Sequence, residues 1–249
     1  AEHAMPTFFV GRALLEAVQR TSIPQGLRWE EIPMPHEGMV FLLPTGSLRH
    51  PTEGEIGTIV LARTKAGQNV AVADAPALAS RDTVLCATSC AHEHPDMPIY
   101  DCRLNASDAP TLDAIESITD GPYVHWEDQT GRPVYATTTT DDQATSRDIL
   151  SIAVRLVLVM IARPELVESG SRIPVKRKSD GAATELWSPT VIGRSYRVPC
   201  EGVGHGGTHA SPRLHWRRGH TALQPHGPNH SLRKLIWREP TLVAGQPKP

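Results

Sequence analysis

The chain has 249 residues, of which 39% are hydrophobic and 21% charged, and its formal net charge is -2 at pH 7. This composition is that of a folded globular protein and excludes an intrinsically disordered chain. Four cysteines are too few for a disulfide scaffold in a chain of this length, and its start has no signal-peptide pattern. We therefore expect reduced thiols and a cytoplasmic location.

The charges are distributed unevenly along the chain. Residues 1–162 contain 11 Lys and Arg against 21 Asp and Glu, a balance of -10. Residues 163–249 contain 14 against 6, a balance of +8. The basic C-terminal part either faces an anionic partner or packs on the acidic part of the same chain, and composition leaves both interpretations open.

The N-terminal half is predicted to contain one helix followed by short strands. Residues Thr7 to Arg20 place apolar side chains at helical spacing. The segments that follow are β-like, and turn-forming Pro and Gly separate them as in a meandering antiparallel sheet. These segments are 38–43, 56–62, 70–73, 84–88, 100–104 and 134–140.

The clearest element is a helix from about Asp141 to Arg163, with acidic residues in its first turn. Residues 149–162 are apolar almost all round, which is typical of a helix buried in the middle of its domain. This run contains Arg155 and is shorter than the roughly twenty apolar residues that a membrane span needs. We expect a buried helix and no membrane association.

Beyond this helix, residues 170–183 are polar and basic and indicate an exposed loop, whereas 187–198 and 232–237 have strand character. The elements together predict an α+β fold, in which an antiparallel sheet of short strands packs on a long central apolar helix. Residues 1–140 form an acidic, β-rich N-terminal part. Residues 141–249 form the central helix and a basic, Arg/His-rich C-terminal part, and one compact domain can hold both.

Two clusters contain residue types that are common in metal or phosphate sites, but their spacing does not match the known motifs. Cys86, Cys90, His92 and His94 offer zinc ligands, but their spacing matches no usual short zinc hairpin, and a cysteine in a β-like segment acts as a small hydrophobe. The glycine-rich segment 202–207 lacks the Lys-Ser/Thr ending of a phosphate loop. We expect neither a metal site nor a cofactor.

The stretch from Ser211 to Val243 combines arginine, histidine and tryptophan. We name its first part the Arg/His row, which consists of Arg213, His215, Arg217, Arg218 and His220. If this segment is extended, His215 and Arg217 lie on one face of it because side chains alternate along a strand. Arg233 follows the row as a further candidate binding residue. Trp216 and Trp237 are expected to be structural, the latter buried in a final strand.

Three kinds of chemistry suit the row, and composition alone does not choose between them. An endoribonuclease would use His215 and His220 for proton transfer, with Arg217 or Arg218 holding the scissile phosphate. The same groups bind RNA without cutting it, or hold a carboxylate or an acidic peptide. The remaining alternative is a solvated basic strand pair with structural tryptophans.

The order and spacing of the residues point further. Pro212-Arg213-x-His215-x-Arg217-Arg218-Gly219-His220, then Gly227, then Trp237-x-x-Pro240-x-x-Val243 resembles the C-terminal signature of a type V-A anti-CRISPR family. This is the family that lowers production of the type V-A CRISPR effector nuclease. The acidic lead-in and apolar helix that end at Pro164-Glu165 are a second similarity.

The resemblance implies a nonenzymatic interaction protein. It would recognise the N-terminal peptide of a target protein as it emerges from the ribosome and cause loss of the encoding mRNA. Its partners would be the nascent polypeptide and, beyond that, the ribosome or the mRNA. Of our predicted binding residues, the row lies within the matching signature, and Arg233 is proposed from its residue type alone. The endoribonuclease or RNA-binding domain stays as the alternative.

Overall fold

The computed structural model describes residues 5–28, 33–50, 54–65, 83–91, 98–105, 125–127, 133–135, 140–170, 172–176, 183–187, 190–201 and 215–243. Within them the α-helices are α1 (Arg12–Gln19) and α2 (Thr140–Ala162). The strands of the N-terminal half are β1 (Thr7–Val10), β2 (Thr21–Ser22), β3 (Gly38–Leu42), β4 (Arg49–His50), β5 (Gly54–Lys65), β6 (Thr83–Ala91), β7 (Pro98–Asn105), β8 (His125–Glu127) and β9 (Pro133–Tyr135). The strands that follow α2 are β10 (Val167–Glu168), β11 (Arg172–Lys176), β12 (Ala183–Trp187), β13 (Thr190–Ile192), β14 (Cys200–Glu201), β15 (His215–Arg217), β16 (Gly219–His226), β17 (Leu232–Arg238) and β18 (Thr241–Val243).

The main sheet has eight described strands in the order β10-β13-β1-β3-β5-β6-β7, with β4 paired to β5 beside this path. Strand β1 runs parallel to both of its neighbours, β13 and β3. The other pairs of this sheet are antiparallel. The sheet is therefore mixed.

The parallel pairing arises from the first element of the chain. The prediction of one helix from Thr7 to Arg20 is wrong in its first half, because residues 7–10 form β1 and only residues 12–19 form α1. Phe8 and Val10 are buried while Phe9 is 40% exposed, which is the alternation of a strand. The segment that contains α1 then supplies the crossover that a parallel neighbour such as β3 requires.

The predicted architecture, an antiparallel sheet of short strands on a long central apolar helix, is therefore wrong. The described residues contain eighteen strands and two α-helices, and they form a mixed main sheet with several smaller sheets. The helical segment expected at about 141–163 is present as α2. It is one of two helices in a strand-rich protein and does not organise an antiparallel sheet around itself.

Several of the predicted strands are confirmed. Segments 38–43, 56–62, 84–88, 100–104 and 232–237 correspond to β3, β5, β6, β7 and β17. Two expectations need correction: the predicted loop 170–183 contains β11, which pairs with β12, and of the predicted strand 187–198 mainly 190–192 is strand, as β13. Of the predicted segment 134–140, β9 covers the start and Thr140 already begins α2. Segments 70–73 and 202–207 lie outside the described residues.

The core lies between the main sheet, the two helices and the C-terminal strands. Alternate side chains of β1, β3 and β5 point into it: Phe8, Val10, Met39, Phe41, Ile59 and Leu61. Helix α2 contacts β5, β6 and β7 of the main sheet, α1, and β17 near the C-terminus. These contacts bury residues 149–160 of α2 except Arg155, which is half-buried, and this accounts for the apolar character of that half of the helix.

Two small sheets hold the C-terminal strands. One has the order β17-β16-β2, in which the β16–β17 hairpin is antiparallel and β2 is parallel to β16. The other has the order β14-β18-β15. The hairpin side chains Thr221 and Trp237 are cross-strand neighbours and both are buried. This packing sets the position of His220, the member of the Arg/His row that lies in the hairpin.

Candidate binding surface

Strand β15 carries the middle of the Arg/His row. It pairs antiparallel with β18, so that His215 lies opposite Val243 and Arg217 opposite Thr241. His215 and Arg217 are exposed, and Trp216 between them is half-buried. The extended conformation and the shared face expected for His215 and Arg217 are therefore observed.

Trp216 meets a residue that the sequence analysis did not single out. The guanidinium carbon of Arg20 lies 4.4 Å from the centroid of the Trp216 ring, which is a cation–π contact. Arg20 also donates a hydrogen bond from Nη1 to the carbonyl oxygen of Glu16 at 3.0 Å, which ties it to the last turn of α1. No local pattern joins Arg20 to Trp216, because they are far apart in the chain and meet only through the fold.

The same N-terminal segment holds the start of the hairpin. The amide nitrogen of Gly219 donates to the carbonyl oxygen of Arg20 at 3.1 Å. Oγ of Ser22 donates to the carbonyl oxygen of Gly219, and Oγ1 of Thr221 to the carbonyl oxygen of Ser22, both at 3.4 Å. The residues after α1 therefore position the second half of the row.

The row does not form one cluster. His215 and Arg217 belong to the sheet that contains β15 and β18, whereas His220 belongs to β16 and lies opposite Arg238. The four described members, His215, Arg217, Arg218 and His220, are exposed. Arg213 lies outside the described residues.

Arg233 is separated from the row by the length of the hairpin. Its cross-strand neighbour is Pro225, near the turn. Its Nη1 donates to the carbonyl oxygens of His230 at 2.8 Å and Leu232 at 3.3 Å. The Arg233 side chain thus closes the turn, and a binding role for it stays a prediction.

Trp237 is buried at 6% exposure in β17, which confirms the expected burial and strand. Its Nε1 donates to Oγ1 of Thr21 at 3.1 Å, and that hydroxyl donates to the carbonyl oxygen of Ala17 at 2.9 Å. Its ring also packs on Tyr196, with 5.6 Å between ring centroids. The indole therefore joins α1, β2 and the hairpin.

An ionic network lies beside this tryptophan. The guanidinium of Arg163, which follows α2, bonds both Glu165 and Glu239. The hydrogen bond to Glu165 raises the pKa of Arg163 and lowers the pKa of Glu165. The pKa of Tyr196 is raised, mainly by burial and then by the negative charge of Glu239. Its Oη has no hydrogen-bond partner of normal geometry among the described residues.

The described part of the chain contains no group of three or more His, Cys, Asp or Glu side chains placed to hold a metal ion. His92 and His94, two of the possible zinc ligands, lie outside it. Among the described helices, none is both long and apolar enough to cross a membrane.

Comparison with known families assigns the chain to a class. A family model described as Anti-CRISPR type V subtype A2 matches residues 8–245, from β1 to just beyond β18. The chain therefore belongs to this AcrVA2-like family of anti-CRISPR proteins. The resemblance seen in the C-terminal signature is confirmed, and the match extends over the main sheet as well. No curated protein and no solved structure matches the chain.

Proposed function

We propose that this anti-CRISPR-like protein recognises the N-terminal peptide of a target protein as it emerges from the ribosome, and that this recognition lowers the target's expression through loss of its mRNA. The observation that carries the proposal is strand β15, which is the terminal strand of its sheet among the described residues and has exposed Arg and His side chains. Family membership supports the anti-CRISPR class of the function.

Strand β15 is the terminal strand of the sheet β14-β18-β15 among the described residues. A strand at the edge of a sheet presents backbone N–H and C=O groups along its outer side. An extended peptide binds such an edge by adding a strand, with affinity from backbone hydrogen bonds and selectivity from alternate side chains. A nascent N-terminus suits this mode because its own backbone groups have not yet paired within a fold.

The side chains along β15 offer selectivity on both faces. On one face His215 and Arg217 are exposed, and on the other the half-buried Trp216 lies against Arg20. Arg218 follows directly and is exposed. A guanidinium forms paired hydrogen bonds with carboxylates, so acidic side chains of a peptide fit these positions. Contacts from Arg213, His220 and Arg233 remain predictions.

The first experiment identifies the partner. The tagged full-length chain is purified from cells in which translation is arrested, and the bound peptides and mRNAs are sequenced. We expect enrichment of translating messages that share an N-terminal peptide. The Arg217→Gln/Arg218→Gln double variant should lose this enrichment. The matched control Arg12→Gln/Arg49→Gln removes two exposed charges from elsewhere and should retain it.

The second experiment separates peptide recognition from RNA recognition. The first codons of the enriched message are fused to a reporter, either in frame or with a compensated frameshift that changes the peptide and leaves the RNA nearly unchanged. We expect the chain to lower reporter mRNA only for the in-frame peptide. Equal loss of both reporters would overturn the proposal.

A further inference from the structure

A second surface lies on the outward side of the β16–β17 hairpin. The register places His220 opposite Arg238 and Gln224 opposite Lys234. All four are exposed, and we name them the basic hairpin face. The alternate positions of both strands point the other way: Thr221 and Trp237 are buried, and Leu223 and Leu235 pack against the core.

All charged side chains of the hairpin are basic. Residues 219–238 contain three Lys and Arg and three His, and no Asp or Glu. The nearest carboxylate in sequence, Glu239, is bonded to Arg163 and its side chain is 19% exposed. Glu165 is also bonded to Arg163, and the charge of Lys234 makes a smaller contribution to lowering its pKa. These two carboxylates are thus already bonded to Arg163.

The face is also held rigidly. Its inward side is fixed by the Trp237–Thr21 hydrogen bond, and β16 is paired on both edges, by β17 and β2. Lys234 and Arg238 lie on the same strand, about 13 Å apart at the usual strand rise. Charges spaced along a strand, instead of converging on one point, suit an extended polyanion better than a small anion.

We propose that the basic hairpin face binds single-stranded RNA, namely the message being translated. Lys234 and Arg238 contact phosphates, and the imidazole of His220 and the guanidinium plane of Arg238 stack on unpaired bases. The half-buried Ile236 and the exposed Leu232, at 52% exposure, supply apolar contact beside them. This surface goes beyond the proposed function, which uses the edge of β15 for a peptide and assigns no RNA site. The identification of the RNA as the translated message is the one part that rests on the proposed function.

The test uses the purified full-length chain without any peptide, so its result is independent of the reporter experiments. A fluorescently labelled, unstructured 20-nucleotide RNA is titrated and its anisotropy is followed at several salt concentrations. Each phosphate contact contributes roughly 0.7 to the slope of log affinity against log salt for single strands. The Lys234→Gln/Arg238→Gln double variant should bind about tenfold more weakly, with a slope lower by roughly 1.4.

Two controls and two competitors make the outcome decisive. Arg12→Gln/Arg49→Gln removes the same charge elsewhere and should bind as the wild type does. Lys234→Gln alone should show an intermediate loss, which covers the case in which the double variant fails to fold. Wild-type affinity in the Lys234 and Arg238 variants, or an equal loss in the control, would overturn the proposal. It is also wrong if polyglutamate of equal charge competes as well as RNA, which indicates an acidic protein partner, or if duplex RNA binds as tightly, which indicates structured RNA.

Discussion

Nε1 of Trp237 donates a hydrogen bond to Oγ1 of Thr21 at 3.1 Å, across 216 positions of the chain. Both residues are buried, and the Thr21 hydroxyl in turn donates to Ala17 in α1. The C-terminal hairpin is therefore fastened to the N-terminal helix by a polar contact that solvent does not reach. The basic hairpin face depends on this junction for its position.

We predict that Thr21→Val destabilises the protein by about 1–3 kcal/mol, because it keeps the side-chain shape and leaves the buried indole N–H without its acceptor. Urea unfolding followed by tryptophan fluorescence measures the free energy of unfolding. Ser22→Ala is the matched control, since the half-buried Ser22 makes only a 3.4 Å hydrogen bond to Gly219. Equal stabilities of the two variants would show that the junction contributes nothing.

Gly219→Ala should cost about 1–3 kcal/mol as an overpacking substitution. A Cβ at Gly219 would lie 2.6 Å from Cδ of Pro240 and 2.9 Å from the carbonyl oxygen of Arg238, and neither atom can move easily. Gly38→Ala is the control, because the nearest atoms there belong to the exposed, flexible side chain of Met5. Melting temperatures compare the two, and a drop for Gly38→Ala as large as that for Gly219→Ala would contradict the argument.

Alkaline stability should depend on Tyr196. Burial raises the pKa of its phenol in the folded state, so the unfolded chain loses this proton first as the pH rises. The stabilisation that comes from the protonated phenol is complete below the ordinary tyrosine pKa of about 10, and it falls as the pH rises further. Tyr196→Phe should therefore lose less free energy of unfolding than the wild type between about pH 9 and 11. If the free energy of unfolding of the two proteins changed with pH at the same rate, the raised pKa of Tyr196 would be contradicted.

The purified chain should not cut RNA, although it carries exposed histidines. His215 and His220 lie on strands of different sheets, and proton transfer to and from one phosphate needs two groups aligned on it. Total cellular RNA is incubated with the protein in EDTA and again with magnesium. Cleavage that disappears in His215→Ala or His220→Ala, but persists in the turn variant His230→Ala, would favour an endoribonuclease over the proposed peptide recognition.

Local sequence patterns determined those helices and strands that depend mainly on residues close by in the sequence. Strands β3, β5 and β17 followed from apolar segments bounded by turn residues, and the helical segment of α2 from a long run without breakers. The shared face of His215 and Arg217 followed from the two-residue period of a strand. The spacing of the C-terminal signature indicated the family, because a match of residue order in a short segment can be recognised without knowledge of the fold.

The tertiary structure decided how these elements pair and which side chains meet. Sheet type was missed because the residues of β1 fit a helical spacing as well as a strand alternation, and strand direction depends on the crossover through α1. The contacts of Arg20 with Trp216 and of Thr21 with Trp237 join opposite ends of the chain. The Arg/His row is divided between two sheets for the same reason, because its strands pair with segments that are distant in the sequence. Periodicity indicates which side of an element is buried, but its partner is chosen by packing between segments that lie far apart in the chain.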